Sequence, residues 1–340
     1  MRFAFSDEQL QFQRSVREVL ARVCTPVDVR KTWEPGAARS QERWRSLTEL
    51  GVVPALVPES HGGLGMGELD LVLALEETGR SALPEPIVES AGVVAPLLRE
   101  LGTSSCDAWL GKLATGEIVG TIGLESESFV CDAQFADLLI LQRGEELHAI
   151  EADATRLRAH RSVDGARRLF TVEWTPTSQS RIATGEPARL AIAAARDRAA
   201  LGFAAQLLGL ARHLVGVSVD YAKVRTQFGQ PIGAFQAVKH ALADAHLAVE
   251  MAAPVVYRAA HSISHSLEDR SQHASMAKAR ASDAASSAAR VALQCHGAIG
   301  YSHEHDLHLW MKRAWALSAA WGDAAHHRAR IGATLFGTTA

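Results

Sequence analysis

Hydrophobic positions recur with helical spacing through the first third of the chain. Leu10, Val16, Val19 and Leu20 follow Ser6, an N-cap residue, with Asp7 and Glu8 in the first turn behind it. The run SQERWRSLTELG predicts a second helix closed by Gly51, and ELDLVLALEETGR a third closed by Gly79. Between them VPALVPESHGGLGMG is too rich in turn residues for a helix interior, and SCDAWLGKLATGE predicts one more short helix. Near Gly116 the pattern changes. EIVGTIGLES, DLLILQRGEELHAIEA and RLFTVEW are short β-branched and aromatic runs separated by turns, which predicts a small β domain. From Pro187 the helical period returns. One long helix carries Gly202, Gly209 and Gly216 at intervals of seven, a spacing that predicts close approach of another backbone. FQAVKHALADAHLAVEMAAPVVYRAAHSI and SQHASMAKARASDAASSAARVALQCHG predict two further long helices. The expected fold is mainly α: an N-terminal helical domain over 1–115, a small middle β domain over 116–186, and a C-terminal four-helix bundle over 187–340.

Composition narrows the function classes. The chain has 340 residues, 47% of them hydrophobic, which is ample for a buried core. A formal net charge of -3 with 21% charged residues is too balanced for a nucleic-acid or membrane-surface protein. The N-terminal stretch is too polar for a signal peptide, and no uninterrupted apolar segment looks long enough to cross a bilayer. Cys24, Cys106, Cys131 and Cys295 are scattered, which argues against a disulfide framework or a zinc site and fits a reducing cytoplasm. His303, His305 and His308 lack an accompanying acidic ligand pattern and are expected to be hydrogen-bonding surface histidines rather than metal ligands.

One stretch, YAKVRTQFGQPIGAFQAVKH, interrupts the helical pattern with an arginine, a glutamine and a phenylalanine beside Gly229, Pro231 and Gly233. On these residues alone it is either a helix–helix turn or a projecting corner. Together with LTELGVVPALVPESHGGLGMGELDLVLALEETGR, QCHGAIGYSHEHDL and LHLWMKRAWAL, in this order, it resembles the acyl-CoA dehydrogenase family of flavoproteins. The resemblance implies that the corner reaches a neighbouring subunit's FAD. Arg225 would pair with the pyrophosphate through its guanidinium fork, Gln227 would donate to phosphate or ribose, and Phe228 would cover an apolar face of the cofactor. It also implies that Gln294, Gly297, Ala298 and Gly300 bring backbone N–H groups to the adenosine side of FAD, with Ala298 standing where the family has a second glycine.

The same resemblance exposes what is missing. Members oxidise an acyl-CoA thioester to the 2,3-enoyl-CoA, using a carboxylate to take the α-proton while hydride leaves for the flavin. The two positions where the family places that glutamate fall here on Trp321 and on Ala199, the latter followed by Ala200 rather than arginine. Asp323 and Asp197 are the nearest acids, and no catalytic residue is assigned. The loop and the aromatic strand that hold the flavin ring in the family have no counterpart in TIGLESESFVCDAQFADLLILQRGEE.

The expected function is thus a subunit of an FAD-dependent acyl-CoA dehydrogenase that contributes flavin contacts in trans to a larger catalytic homologue. Such split complexes hint at a bulky acyl-CoA substrate such as a steroid side chain, and the family implies electron-transfer flavoprotein as acceptor. A self-sufficient homo-oligomeric enzyme using Asp323 or Asp197, and a non-enzymatic helical scaffold, are the alternatives.

Overall fold

The computed structural model describes residues 4–34 and 36–337, so the outermost residues of the chain lie outside the description. Six α-helices form the N-terminal part: α1 (Asp7–Val23), α2 (Pro26–Lys31), α3 (Gln41–Glu49), α4 (Glu68–Arg80), α5 (Ala95–Leu101) and α6 (Ser104–Ala114). Ser6 begins α1 with a reciprocal cap: its hydroxyl accepts from the Gln9 amide while the Gln9 side chain accepts from the Ser6 amide. Val16 and Leu20 turn inward from α1, and its polar face is tied down where Arg17 forks onto the buried Glu77 of α4.

A π-helical segment, Val88–Val94, leads directly into α5. The sequence pattern did not foretell it. Every residue from Ile87 to Leu98 is buried, Glu89 and Ser90 included, so no exposed face leaves a one-sided stripe to read.

The middle part holds seven strands: β1 (Gly120–Gly123), β2 (Val130–Cys131), β3 (Leu138–Arg143), β4 (Glu146–Glu151), β5 (Arg156–His160), β6 (Leu169–Glu173) and β7 (Arg181–Thr184). One sheet has the order β1-β3-β4-β7, with β1 parallel to β3 and the other pairs antiparallel. The second, β2-β6-β5, is antiparallel throughout. Along β3, Leu139 and Leu141 face Val130 and Phe170 of the second sheet, whereas Leu138 and Ile140 join the helical core. The two-residue period of a strand thus serves two cores at once.

The C-terminal part consists of α7 (Glu186–Val224), α8 (Gln236–Ser264), α9 (Arg270–His296), α10 (Leu307–Ala319) and α11 (Ala324–Phe336). α7 to α10 pack around an alanine-rich core, and α11 lies on α9. Small residues allow close crossings. A β-carbon at Gly209 would fall 1.9 Å from the Glu76 carbonyl oxygen of α4, and one at Gly79 would fall 2.0 Å from the Gln206 carbonyl oxygen of α7. Gly202 presses on Val88 in the same way. Gly216 departs from the expectation: nothing lies within 4 Å of its would-be β-carbon, because α4 ends at Arg80 and leaves that turn of α7 uncovered.

The expectation that no segment is apolar enough to cross a bilayer also needs correction. α7 meets the length and hydropathy requirement, but 72% of its apolar window is buried inside the protein, as befits the central helix of a core.

Candidate flavin-contact site

α7 ends where Arg225 leaves helical geometry (φ -71°, ψ 118°), its amide still bonded to the Tyr221 carbonyl. The chain then forms a minimal hairpin, β8 (Thr226–Gln227) against β9 (Gln230–Pro231). Its two-residue loop is Phe228–Gly229, with φ of 51° and 80°. Positive φ at both loop positions is the turn whose twist matches the strands, and it favours Asn-Gly or Gly-Gly. Phenylalanine in that conformation is unusual and costs on the order of 1–3 kcal/mol. Phe228 is also 93% exposed, touching Phe235 edge-on at a centroid distance of 6.1 Å. Arg225 and Gln227 are exposed as well, and the Gln227 amide bonds only to the neighbouring Thr226 carbonyl.

The second motif closes α9. Gly297 caps the helix at φ 62°, ψ -140°, a region open essentially to glycine alone, and no heavy atom lies within 4 Å of the β-carbon it lacks. Gln294, Gly297 and Ala298 are exposed. Gly300 is different. It is buried, with Leu293, His296 and Leu307 all 3.1–3.3 Å from its would-be β-carbon, so its smallness serves the turn into α10.

The structure brings these two motifs to one end of the bundle. Tyr221 in the last turn of α7 stacks on His296 at the end of α9, with ring centroids 4.3 Å apart and an interplanar angle of 22°. Burial lowers the pKa of His296, and its Nδ1 lies 2.8 Å from the Ala292 carbonyl oxygen. A neutral ring donating to that carbonyl stacks without placing a charge against tyrosine.

No acid stands at either of the two positions where the resemblance would place the glutamate. Ala199 and Ala200 are wholly buried in α7. Trp321 is buried in the turn between α10 and α11, in the left-handed conformation (φ 54°). Asp323 is exposed and caps α11, its carboxylate accepting from the His326 amide at 2.8 Å, a bond that also lowers its pKa. Asp197 is buried but committed, to Arg330 of α11 at 2.8 Å and to the Ser271 hydroxyl.

Around Trp321 the β domain meets the bundle through its own side chains. Arg167, from the loop between β5 and β6, donates to the Ala316 carbonyl of α10 at 3.0 Å and lies 5.8 Å from the centroid of Phe203 on α7. Asp164 of the same loop is buried against Arg313 of α10 at 3.1 Å. Glu127, from the β1–β2 loop, faces the Trp321 backbone. Its pKa is raised by burial, against the pull of that amide and of Arg167, Arg196 and Lys278. Lys278 of α9 lies fully buried beneath. The sequence reading passed over Arg167, Glu127 and Lys278, although a lone lysine within ASMAKARASDAAS on an alanine face is a legible signal.

The histidines need one correction. His308 is buried, not on the surface: it faces inward from α10 and meets Trp33 edge-on at 5.2 Å, and burial brings its pKa down to about 4. Among the described residues no group of three or more His, Cys, Asp or Glu side chains could hold a metal. All four cysteines are unpaired.

FAD can be tested against this geometry on two faces. The hairpin and the Gly297 turn present an exposed guanidinium and an uncluttered backbone, which suits a cofactor held largely by a neighbour. At the junction around Trp321, Arg167, Asp164 and Glu127 of the β domain meet the bundle. Bound FAD supplies hydride acceptance; Arg225 and the Gln294–Ala298 backbone would hold it.

Comparisons with known proteins agree with the fold and name the family. Residues 6–117 match the acyl-CoA dehydrogenase N-terminal domain and residues 190–336 its C-terminal domain. The chain is similar to the acyl-CoA dehydrogenase IpdE2 of Mycolicibacterium smegmatis, 32% identical over 97% of this chain and 100% of that protein. Among solved structures it is similar to a chain of the ChsE4-ChsE5 complex from Mycobacterium tuberculosis, with a TM-score of 0.89, 22% identity and full coverage of both chains. It is also similar to a chain of the Tcur3481-Tcur3483 steroid acyl-CoA dehydrogenase, with a TM-score of 0.87, 22% identity, and 97% and 98% coverage. The chain belongs to the acyl-CoA dehydrogenase family, whose members are FAD-dependent oxidoreductases.

Proposed function

We propose that this chain is the non-catalytic subunit of a heteromeric acyl-CoA dehydrogenase. A larger homologue supplies the proton-abstracting carboxylate, the flavin-ring contacts and the acyl-CoA pocket. This chain supplies Arg225, with Gln227 and Phe228, to the cofactor's pyrophosphate side, and the Gln294–Ala298 turn to its adenosine side. The observation that carries the reading is the hairpin itself: a 93% exposed phenylalanine in a left-handed conformation three residues past an exposed arginine. A free surface gains nothing from such a feature, whereas a partner's cofactor would cover the ring and pair the cation. The occupied base positions and the filled junction at Trp321 point the same way. Two of the similar folds belong to proteins solved as pairs, one described as a steroid acyl-CoA dehydrogenase, so a bulky acyl-CoA is the substrate class we favour.

The test is the visible spectrum of the chain purified alone and after co-expression with a larger homologue that carries the missing glutamate. Flavin bands in the assembled pair and none in the lone chain are expected. Stoichiometric flavin on the lone chain would overturn the proposal.

A further inference from the structure

Lys278 is wholly buried in the middle of α9, and its three hydrogen-bond partners are all uncharged. Its Nζ lies 3.0 Å from the Ser318 carbonyl oxygen, 3.0 Å from the Gly322 carbonyl oxygen and 3.3 Å from Ser282 Oγ. The amine donates to all three, two backbone carbonyls and a hydroxyl, with no carboxylate among them. Burial lowers the pKa of the lysine to about 7, reinforced by Arg167 and opposed by Asp323 and Glu127.

The two carbonyls flank Trp321. Ser318 stands in the last turn of α10, where carbonyls have no helical partner, and Gly322 follows the tryptophan. The carbonyl of Trp321 itself is taken by His327 Nε2 at 3.0 Å. Burial brings the pKa of His327 down to about 4, so the ring is neutral and donates from that nitrogen. A bulky residue at φ 54° persists only where the surroundings over-determine it. Here the surroundings are one lysine and one histidine gripping the turn at three carbonyls.

We propose that Lys278 is the positioning residue that seats Trp321 in the junction between the β domain and the bundle, acting through the Ser318 and Gly322 carbonyls. That the seated tryptophan also closes the junction to a flavin ring rests on the function proposed above; the seating does not.

The experiment compares wild type with Lys278→Met, which keeps the stem and removes the donors, each also carrying Trp321→Phe so that the Trp321 signal is isolated by difference. In Lys278→Met, acrylamide quenching of Trp321 is expected to rise several-fold. Amide exchange over residues 319–323 should quicken by about tenfold or more, while exchange in α7 stays unchanged. In wild type the Trp321 emission should shift with a midpoint near pH 7 as the buried amine takes a proton amid Arg167, Glu127, Asp323 and His327, and this shift should vanish in Lys278→Met. A folded Lys278→Met with wild-type quenching and exchange would overturn the proposal. If that variant does not fold, the wild-type titration decides: no Trp321 transition between pH 6 and 9 would overturn it. None of these readouts involves flavin, so failure of the heteromeric reading leaves them intact.

Discussion

Tyr221 and His296 stack face to face at 4.3 Å, and this contact ties the end of α7 to the end of α9. Two motifs some seventy residues apart, one opening at Arg225 and the other closing on Gly297, thereby emerge from the same end of the bundle. Neither ring is a flavin contact in this reading. Their role is to hold the two segments that are.

Arg225→Ala is expected to weaken flavin retention by the assembled complex by about tenfold or more. A charge-assisted hydrogen bond contributes on the order of 1.5–3 kcal/mol, and the arginine's fork would make two to a pyrophosphate. Flavin affinity measured by absorbance after dialysis checks this. Thermal stability of the lone chain should not change, because Arg225 is exposed.

Gly297→Ala should lower the melting temperature and the flavin content together. No atom of this chain blocks the added methyl, so the cost is conformational, about 1–3 kcal/mol for a side chain forced to φ 62°, ψ -140°. Differential scanning fluorimetry and flavin absorbance report the two effects. A lowered melting temperature with full flavin content would mean that the turn is a helix cap only.

Asp323→Asn and Asp197→Asn should both leave turnover of the complex nearly unchanged, whereas removing a true general base costs about 10²–10⁴ in rate. The two should differ in stability. Asparagine caps a helix about as well as aspartate, so Asp323→Asn is neutral. Asp197→Asn removes a buried anion that holds the half-buried Arg330 of α11 and should be destabilising. Turnover assays and urea melts separate these outcomes. A hundredfold loss of turnover in Asp323→Asn would make this chain its own catalyst.

Stability should depend on pH through Lys278. Its folded pKa, about 7, lies below the 10.5 of a free lysine, so between these values the unfolded chain binds a proton that the folded chain does not. Stability therefore rises with pH across that window, with a slope approaching ~1.4 kcal/mol per unit from this group, and the gain is absent below pH 7. Urea midpoints at pH 7, 8 and 9 for wild type and Lys278→Met measure it, since contributions of other groups cancel in the difference.

The sequence by itself determined the helical parts, the strand-rich middle and the family. These depend on local period and turn chemistry: Ser6 and Gly51 at helix ends, the apolar run of β3, glycines and a proline at the hairpin; Gly79, expected to close α4, lies inside it, because α4 continues to Arg80. It also supplied the expectation, part of the function proposed above, that Trp321 and Ala199 stand where the family resemblance would place a carboxylate. Only the tertiary structure decided what distant residues do to one another. The α4–α7 crossing at Gly79 and Gly209, the capture of Asp197 by Arg330 and the burial of His308 each join residues many turns apart. The all-round burial of Val88–Val94 erased the periodicity that would have announced it. Lys278 shows the limit most plainly: in the chain it is one charged residue among alanines, and only the packing of α9 against the α10–α11 turn makes it an amine between two carbonyls.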